Sequence, residues 1–483
     1  MKKLQNYIDG AFVDPVSGQW LDNYCPSTGK VYSQVAASEK EDIGNAVAAA
    51  KKAFPSWSAT PVEKRAKYLY DVALGIEKRL EEFANAESQD QGKTLQTAMT
   101  IDIPRAIANF RFYAGHILHH EEVSTVMESP VRAINFTARQ PYGVAALISP
   151  WNLPLYLASW KVAPAIACGN TCVLKPSELS PLTAYLLGEV LSEAGVPPGV
   201  VNIVHGLGPK AGQALIEHPD VAIISFTGGT ATGKHIARVA APLMKKLSLE
   251  LGGKNANIVF ADCDADACIT TSLRSSFANQ GEICLCGSRI LVERSFHDEF
   301  VRRLVEATKK LHIGDPSDAN SFYGALISAA HLAKVKKYVE LAKEEGGTVH
   351  CGGEFPGNIP EAFKGGFFLT PTIISGLSSK ARCCQEEIFG PVVTVIPFDD
   401  EADAIAKAND TQYGLSSSIW TKDGAKANRV ALGLHCGYIW VNCWLLRDLR
   451  MPFGGMKGSG VGREGGKYAI DFYSDVKTIC SKL

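Results

Sequence analysis

Phe277-Ala278-Asn279-Gln280-Gly281-Glu282-Ile283-Cys284 sets one cysteine behind a turn-forming glycine. Thirty-four positions earlier, Leu247-Ser248-Leu249-Glu250-Leu251-Gly252-Gly253-Lys254 sets a carboxylate just ahead of a glycine pair. A thiol and a carboxylate presented on two such turns can act as nucleophile and base on one carbonyl. The competing reading makes Cys284 one packed cysteine among several and Glu250 a surface charge. Cys286 is the nearest rival for the nucleophile's role, but the spacing from the Asn279-Gln280-Gly281 turn favours Cys284.

The chain that carries these turns has 483 residues, too many for a single hydrophobic core, so two or three domains are expected. Apolar residues make up 46% and charged residues 20%, as in ordinary soluble proteins. A net charge of −1 provides no basic field, so neither nucleic acid nor an anionic membrane is expected as a partner. The start, Met1-Lys2-Lys3-Leu4-Gln5-Asn6, turns polar too soon for a signal peptide, and no apolar run approaches the ~18 residues of a membrane span. Thirteen scattered cysteines form no paired CxxC units, so no metal is expected. Their odd number suits a reducing compartment, where buried thiols behave as small apolar residues; twelve are read as structural. Cytoplasmic residence is the expectation. The final Ser481-Lys482-Leu483 matches a peroxisomal address if the source is a eukaryote, although so short a tripeptide also arises by chance.

From about Ala106 to Phe260, short apolar strands alternate with helix-length amphipathic segments. The strands are Val144–Ile148, Thr171–Leu174, Val200–Val204, Ile223–Phe226 and Ile258–Phe260. Leu182–Ala194 has helical periodicity and is stopped by Gly195, with Pro197 and Pro198 behind it. This rhythm predicts a parallel sheet with crossover helices and ligands beyond the carboxyl ends of its strands. Asn152, Lys175, Gly228 and Glu250 all fall at such ends. A second alternating region, from about Cys284 to Trp440, has candidate strands Ser288–Val292, Val392–Ile396 and Ser417–Trp420.

Gly206-Leu207-Gly208-Pro209-Lys210-Ala211-Gly212 has the wrong spacing for a dinucleotide fingerprint and carries little weight. Phe226-Thr227-Gly228-Gly229-Thr230-Ala231-Thr232-Gly233 is a better phosphate loop. Its small residues let backbone amides approach a pyrophosphate at a helix amino terminus.

Together the Cys284 and Glu250 runs resemble the paired signatures of the aldehyde dehydrogenase superfamily. The likeness begins at Tyr7-Ile8-Asp9-Gly10 and reaches Gly460-Val461-Gly462-Arg463-Glu464-Gly465. It implies an α/β fold of aldehyde dehydrogenase type. A Rossmann-type NAD-binding domain would span 1–121 and 141–252, and an α/β catalytic domain 253–452. Residues 122–140 and 467–483 would form a small β oligomerisation element, in which a hairpin near Glu122–Gln140 joins the carboxyl-terminal strand. A homodimer or homotetramer follows. Cys284 would be the nucleophile and Glu250 the general base. Asn152, between Pro150 and Pro154, would stabilise an oxyanion together with the Cys284 N–H, a contribution of ~3 kcal/mol.

The resemblance also implies NAD as cofactor. Its binding residues would be Ile148, Ser149, Pro150, Trp151, Lys175, Ser177, Glu178, Phe226, Thr227, Gly228, Gly229, Leu251, Gly252, Glu387 and Phe389. Gly229 stands where many members have Ser, which removes a hydroxyl but keeps the backbone cradle. Lys175 and Glu178 would hold the adenosine ribose, and a carboxylate there disfavours a 2′-phosphate, hence NAD over NADP. Glu387, in Glu386-Glu387-Ile388-Phe389-Gly390-Pro391, would bind the nicotinamide ribose with Phe389 packed nearby.

Substrate preference rests on two runs. Asp102-Ile103-Pro104-Arg105-Ala106 and Val441-Asn442-Cys443-Trp444-Leu445-Leu446-Arg447-Asp448-Leu449-Arg450, with the Cys284 run, resemble the 2-aminomuconic semialdehyde dehydrogenases. The 2-hydroxymuconic enzymes share the Arg447 segment. Both groups take an aldehyde with a carboxylate at its far end, which paired guanidinium forks at Arg105 and Arg447 suit better than lysines. The competing reading is a structural ion pair, Asp448 serving Arg447 and Asp102 serving Arg105. The alternatives in function are a broad-range aldehyde dehydrogenase, retinal included, and a non-catalytic binding protein.

Overall fold

Strands that are apolar on both faces need helices on both faces, and the first sheet is built on that rule. Val144–Ile148 and Thr171–Lys175 are buried along their whole length. In the computed structural model, which describes all 483 residues, five parallel strands form the middle of an eight-stranded sheet. Their order is Lys246–Glu250, Val221–Thr227, Val144–Ile148, Thr171–Lys175, Val201–Ile203. The periodicity predicted a parallel sheet, and both edges depart from it. Gly460–Val461 pairs antiparallel with Lys246–Glu250, and Asn6–Ile8 with Val201–Ile203. These edge strands arrive from distant parts of the chain without a crossover helix, so nothing imposes a parallel direction on them. The helix Leu182–Glu193 ends where its periodicity stops.

A second, seven-stranded sheet runs Thr348–Cys351, Thr372–Ser375, Val392–Phe398, Arg289–Glu293, Ala256–Val259, Ser416–Trp420, Tyr438–Val441. Only its first strand is antiparallel. The segment around Ile258, which strand rhythm grouped with the first region, belongs here. The chain leaves the first sheet at Glu250 and enters the second at Ala256, and periodicity of two cannot tell which sheet a strand joins.

Ser124–Met127 and Ala133–Pro141 form a hairpin, and Ser474–Lys482 pairs with its second strand in nine register pairs. Ser481 and Lys482 lie within that pairing, opposite Ile134 and Ala133. Buried Asn170 ties this sheet to the first. Its Oδ1 accepts from the N–H groups of Tyr142 (2.8 Å) and Gly143 (3.2 Å), and its Nδ2 donates to the carbonyls of Tyr473 (2.7 Å) and Ala165 (3.2 Å). No helix is long and apolar enough to cross a membrane. Asn170→Ala removes all four bonds and strands buried backbone groups. We expect a loss of about 2–4 kcal/mol, read as a lower denaturant midpoint at unchanged slope.

Candidate active site

Three consecutive left-handed residues aim the cysteine. Asn279 (φ 50°), Gln280 (φ 59°) and Gly281 (φ 71°) turn the chain back between the helix Ala265–Phe277 and Cys284. A Cβ on Gly281 would stand 2.3 Å from the Gly390 carbonyl oxygen, so only glycine fits. Two non-glycine residues in this region cost energy that the surroundings must offset. Buried Glu282 anchors the turn: Gln91 Nε2 donates to its Oε2 (2.8 Å) and the Ile327 N–H to its Oε1 (3.2 Å).

Asn152 follows the strand Val144–Ile148. Its Nδ2 donates to the Glu282 carbonyl at 2.7 Å, which engages one of its two N–H groups and leaves the other for a ligand. Its own carbonyl accepts from Lys93 Nζ (3.2 Å) and Asn279 Nδ2 (3.1 Å). The Cys284 N–H makes no backbone hydrogen bond. Two donors therefore remain free beside one thiol.

Glu250 ends the strand Lys246–Glu250, and neither of its carboxylate oxygens has a hydrogen-bond partner. Burial, then the nearby Glu464, hold its carboxyl well above the usual range, with Lys161, Arg463 and Arg447 acting against them. Lys161 is wholly buried; its ammonium meets Glu464 Oε1 at 3.1 Å and Ser225 Oγ at 2.9 Å. Burial also pushes the Cys284 thiol up, followed by the Glu387 and Glu250 carboxylates, while Arg447 lowers it. Cys286 is pushed up to about 12, mainly by burial.

Two cavities meet at these groups. One, of about 1200 Å³, runs from a half-open rim at Thr97, Ile101 and Phe322 to Glu250 and Cys284. The other, of about 760 Å³, contains Asn152, Gly228, Gly229, Glu387 and Phe389, and shares Thr227, Glu250, Leu251 and Cys284 with the first. A carbonyl held at this junction would have the thiol, the carboxylate and the free amide donors around it.

The second cavity gathers much of the expected cofactor set. Gly229 precedes the helix Thr230–Ala240, and a Cβ there would meet nothing within 4 Å, so its backbone stays open to a ligand. At Gly228 a Cβ would strike the Phe226 ring at 2.5 Å, and at Gly252 it would strike Glu387 at 2.0 Å. Glu387 Oε1 accepts from the Gly253 N–H at 2.9 Å. Trp151 and Phe389 meet edge to face with centroids 5.3 Å apart. Ser149 Oγ and Thr227 Oγ1 are buried without partners. Pro150 lines the wall, while Ser177 Oγ only caps the Leu179 N–H at 3.2 Å. Ile148, Lys175 and Phe226 line a separate cavity of about 1110 Å³, and Lys175 Nζ stands 3.5 Å from Glu178 Oε2.

Sequence reasoning undervalued several residues. Gly208, Pro209 and Gly212, dismissed on spacing, line the same cavity as Lys175. His331 packs against Trp151 and its Nε2 donates to the Phe389 carbonyl (2.6 Å); burial pulls its pKa down to about 4, so the ring is neutral. Lys161 had a usable signal, since it is the only charge in the helix Pro154–Ala167.

The ion-pair reading of the two arginines fails. Asp448 pairs with Arg450 (2.5 Å) and Asp102 with the buried Lys93 (2.5 Å). Arg447 instead stacks on Phe453 (3.9 Å) and faces Trp160 (5.5 Å). Arg105 lies over Tyr156 (5.1 Å) and the same Trp160 (5.6 Å), donates to Asn109 Oδ1 and keeps Nη2 buried without a partner. Neither guanidinium has a carboxylate.

The aldehyde dehydrogenase family model matches residues 12–479. The chain belongs to that family. It is 55% identical over 480 residues to a 2-aminomuconic semialdehyde dehydrogenase of Danio rerio, covering 99% of this chain and 98% of that one. It is 48% identical over 487 residues to a 2-hydroxymuconic semialdehyde dehydrogenase of a Pseudomonas species, covering 100% of both. A solved betaine aldehyde dehydrogenase from Staphylococcus aureus, in complex with NAD+, superposes with a TM-score of 0.95 at 38% identity, over 99% of this chain and 94% of that one.

Because burial raises the pKa of both the Cys284 thiol and the Glu250 carboxyl, this aldehyde dehydrogenase should gain activity as pH rises. Each deprotonation moves a reactive group into its working form. Removing the Glu464 charge lowers the Glu250 pKa, so Glu464→Gln should shift the rising limb of the kcat–pH profile to lower pH. A limb that stays in place would mean that Glu464 does not tune the base.

Proposed function

We propose that this enzyme oxidises 2-aminomuconate semialdehyde to 2-aminomuconate with NAD. The observation that carries the substrate is the pair of guanidinium groups, Arg105 and Arg447, left without carboxylates around Trp160 while the same cavity ends at Cys284. A planar, conjugated aldehyde with a distal carboxylate matches an aromatic-lined slot bordered by guanidinium groups. A second reading, 2-hydroxymuconic semialdehyde, offers the same carboxylate and is supported by the Pseudomonas relative.

The cofactor cavity fits NAD: its open glycine backbone at a helix amino terminus suits a pyrophosphate, and Glu387 suits a ribose. Glu178 beside Lys175 supports NAD over NADP. Bound there, NAD supplies the acceptor for the hydride whose loss turns a thiohemiacetal on Cys284 into a thioester.

The chain's own residues do the rest. Cys284, once its thiol proton has passed to solvent, attacks the aldehyde carbon through Sγ, and the developing oxyanion accepts from Asn152 Nδ2 and the Cys284 N–H. Glu250, once ionised, takes a proton from a water that attacks the thioester, and the acid leaves with the thiol restored. Lys161 and Glu464 position that carboxylate electrostatically. The hairpin and the strand Ser474–Lys482, with Val126, Phe136 and Val476 exposed, serve a homodimer or homotetramer. Cytoplasmic residence belongs to the same reading.

Glu250→Ala should leave thioester formation intact and slow its hydrolysis, so stopped-flow should record an NADH burst followed by a weak steady rate. An unchanged steady rate would assign the base elsewhere. Replacing Arg105 or Arg447 by Ala removes a charge-assisted contact worth ~1.5–3 kcal/mol, a 10- to 100-fold loss in kcat/KM for a muconic semialdehyde. A neutral aldehyde of similar length should lose far less. Equal losses on both would favour a broad-range aldehyde dehydrogenase.

A further inference from the structure

Arginines in this protein almost always have something to hold. Of the seventeen, ten make ion pairs with Asp or Glu and three spend their guanidinium on backbone carbonyls. Four do neither: Arg105, Arg238, Arg274 and Arg447. Three of these four border one cavity. Arg447 lines it, Arg105 stacks behind its Tyr156 and Trp160, and Arg274 lines it as well. Arg274 stands apart from the other two. It projects from the helix Ala265–Phe277, is exposed, and makes no side-chain hydrogen bond or ion pair. The cavity's solvent-facing residues are Arg274 and Ile101, with half-buried Thr97 and Phe322 beside them; its inner end holds buried Glu250 and Glu464.

We infer that Arg274 is a steering residue for anionic aldehydes at the mouth of this cavity. The inference rests on the reading that the substrate carries a carboxylate and goes beyond it by assigning a third cation to capture rather than to holding. An exposed guanidinium is too mobile and too well hydrated to fix a ligand's geometry, but its charge raises the local concentration of anions at the entrance. Capture followed by handover to Arg447 and Arg105 orders the substrate with its carboxylate away from Cys284.

The test is kcat/KM across ionic strength for a muconic semialdehyde and for a neutral aldehyde of similar length. At low salt, Arg274→Gln should lower the ratio of the two by about 2-fold, the effect of one charge roughly 8–10 Å away in water, with kcat little changed. Arg274→Glu should lower it by roughly the square of that factor, and Arg274→Lys should restore it, because only charge is required. All the differences should shrink towards none near 0.5 M salt, where the screening length is about 4 Å. A loss in Arg274→Gln that salt does not diminish, or that Lys fails to restore, would overturn steering, as would equal losses on both aldehydes or no loss at all. The underlying carboxylate reading is checked separately in the unmutated enzyme. If that enzyme shows no preference for the carboxylated aldehyde, the substrate reading is wrong whatever the Arg274 variants do.

Discussion

The Asn152 carbonyl is the point on which the site is hung. Lys93 Nζ and Asn279 Nδ2, from segments far apart in the chain, both donate to it. Lys93 is wholly buried, and its charge is met by Asp102 at 2.5 Å and Glu87 at 3.4 Å. Replacing one member of such a cluster leaves an uncompensated charge, so the three act as a unit. Through it the segment that carries Arg105, the turn that carries Asn152 and the loop that carries Cys284 are fixed relative to one another.

That rigidity has an electrostatic cost. Glu250, Glu282 and Glu387 are all buried near the thiol, and burial raises the pKa of each. In each case burial disfavours the charged form. Glu282 and Glu387 are stabilised by hydrogen bonds from Gln91 and the Gly253 N–H, whereas Glu250 has none. The carboxylate without fixed partners is the one free to exchange protons with water. Chemistry and structure are separated by hydrogen bonding, not by burial.

Much of the fold could be read in the sequence because its central strands are short, continuous and apolar, with polar or turn-forming residues just past their carboxyl ends. Asn152, Lys175, Gly228 and Glu250 stood out for that reason. Periodicity could not assign Ala256–Val259 to its sheet, nor give the edge strands their direction, because both depend on contacts between distant segments. Resemblance singled out Arg105 and Arg447, but only the structure separates them from Asp102 and Asp448, whose proximity in sequence is misleading. Lys161 was legible in principle, as a lone charge in an apolar helix. Arg274 was not, since an exposed arginine on a helix is ordinary until the cavity beside it is seen.

The passage from one sheet to the other between Glu250 and Ala256 has a consequence for how the enzyme comes into being. Glu250 ends a strand of the first sheet, whereas the loop of Cys284 leads into Arg289–Glu293 of the second. Neither sheet by itself contains a reactive pair. Each sheet therefore carries only one of the two groups. The two groups come together only when both sheets are in place, so recovery of activity on refolding should report assembly of the whole molecule.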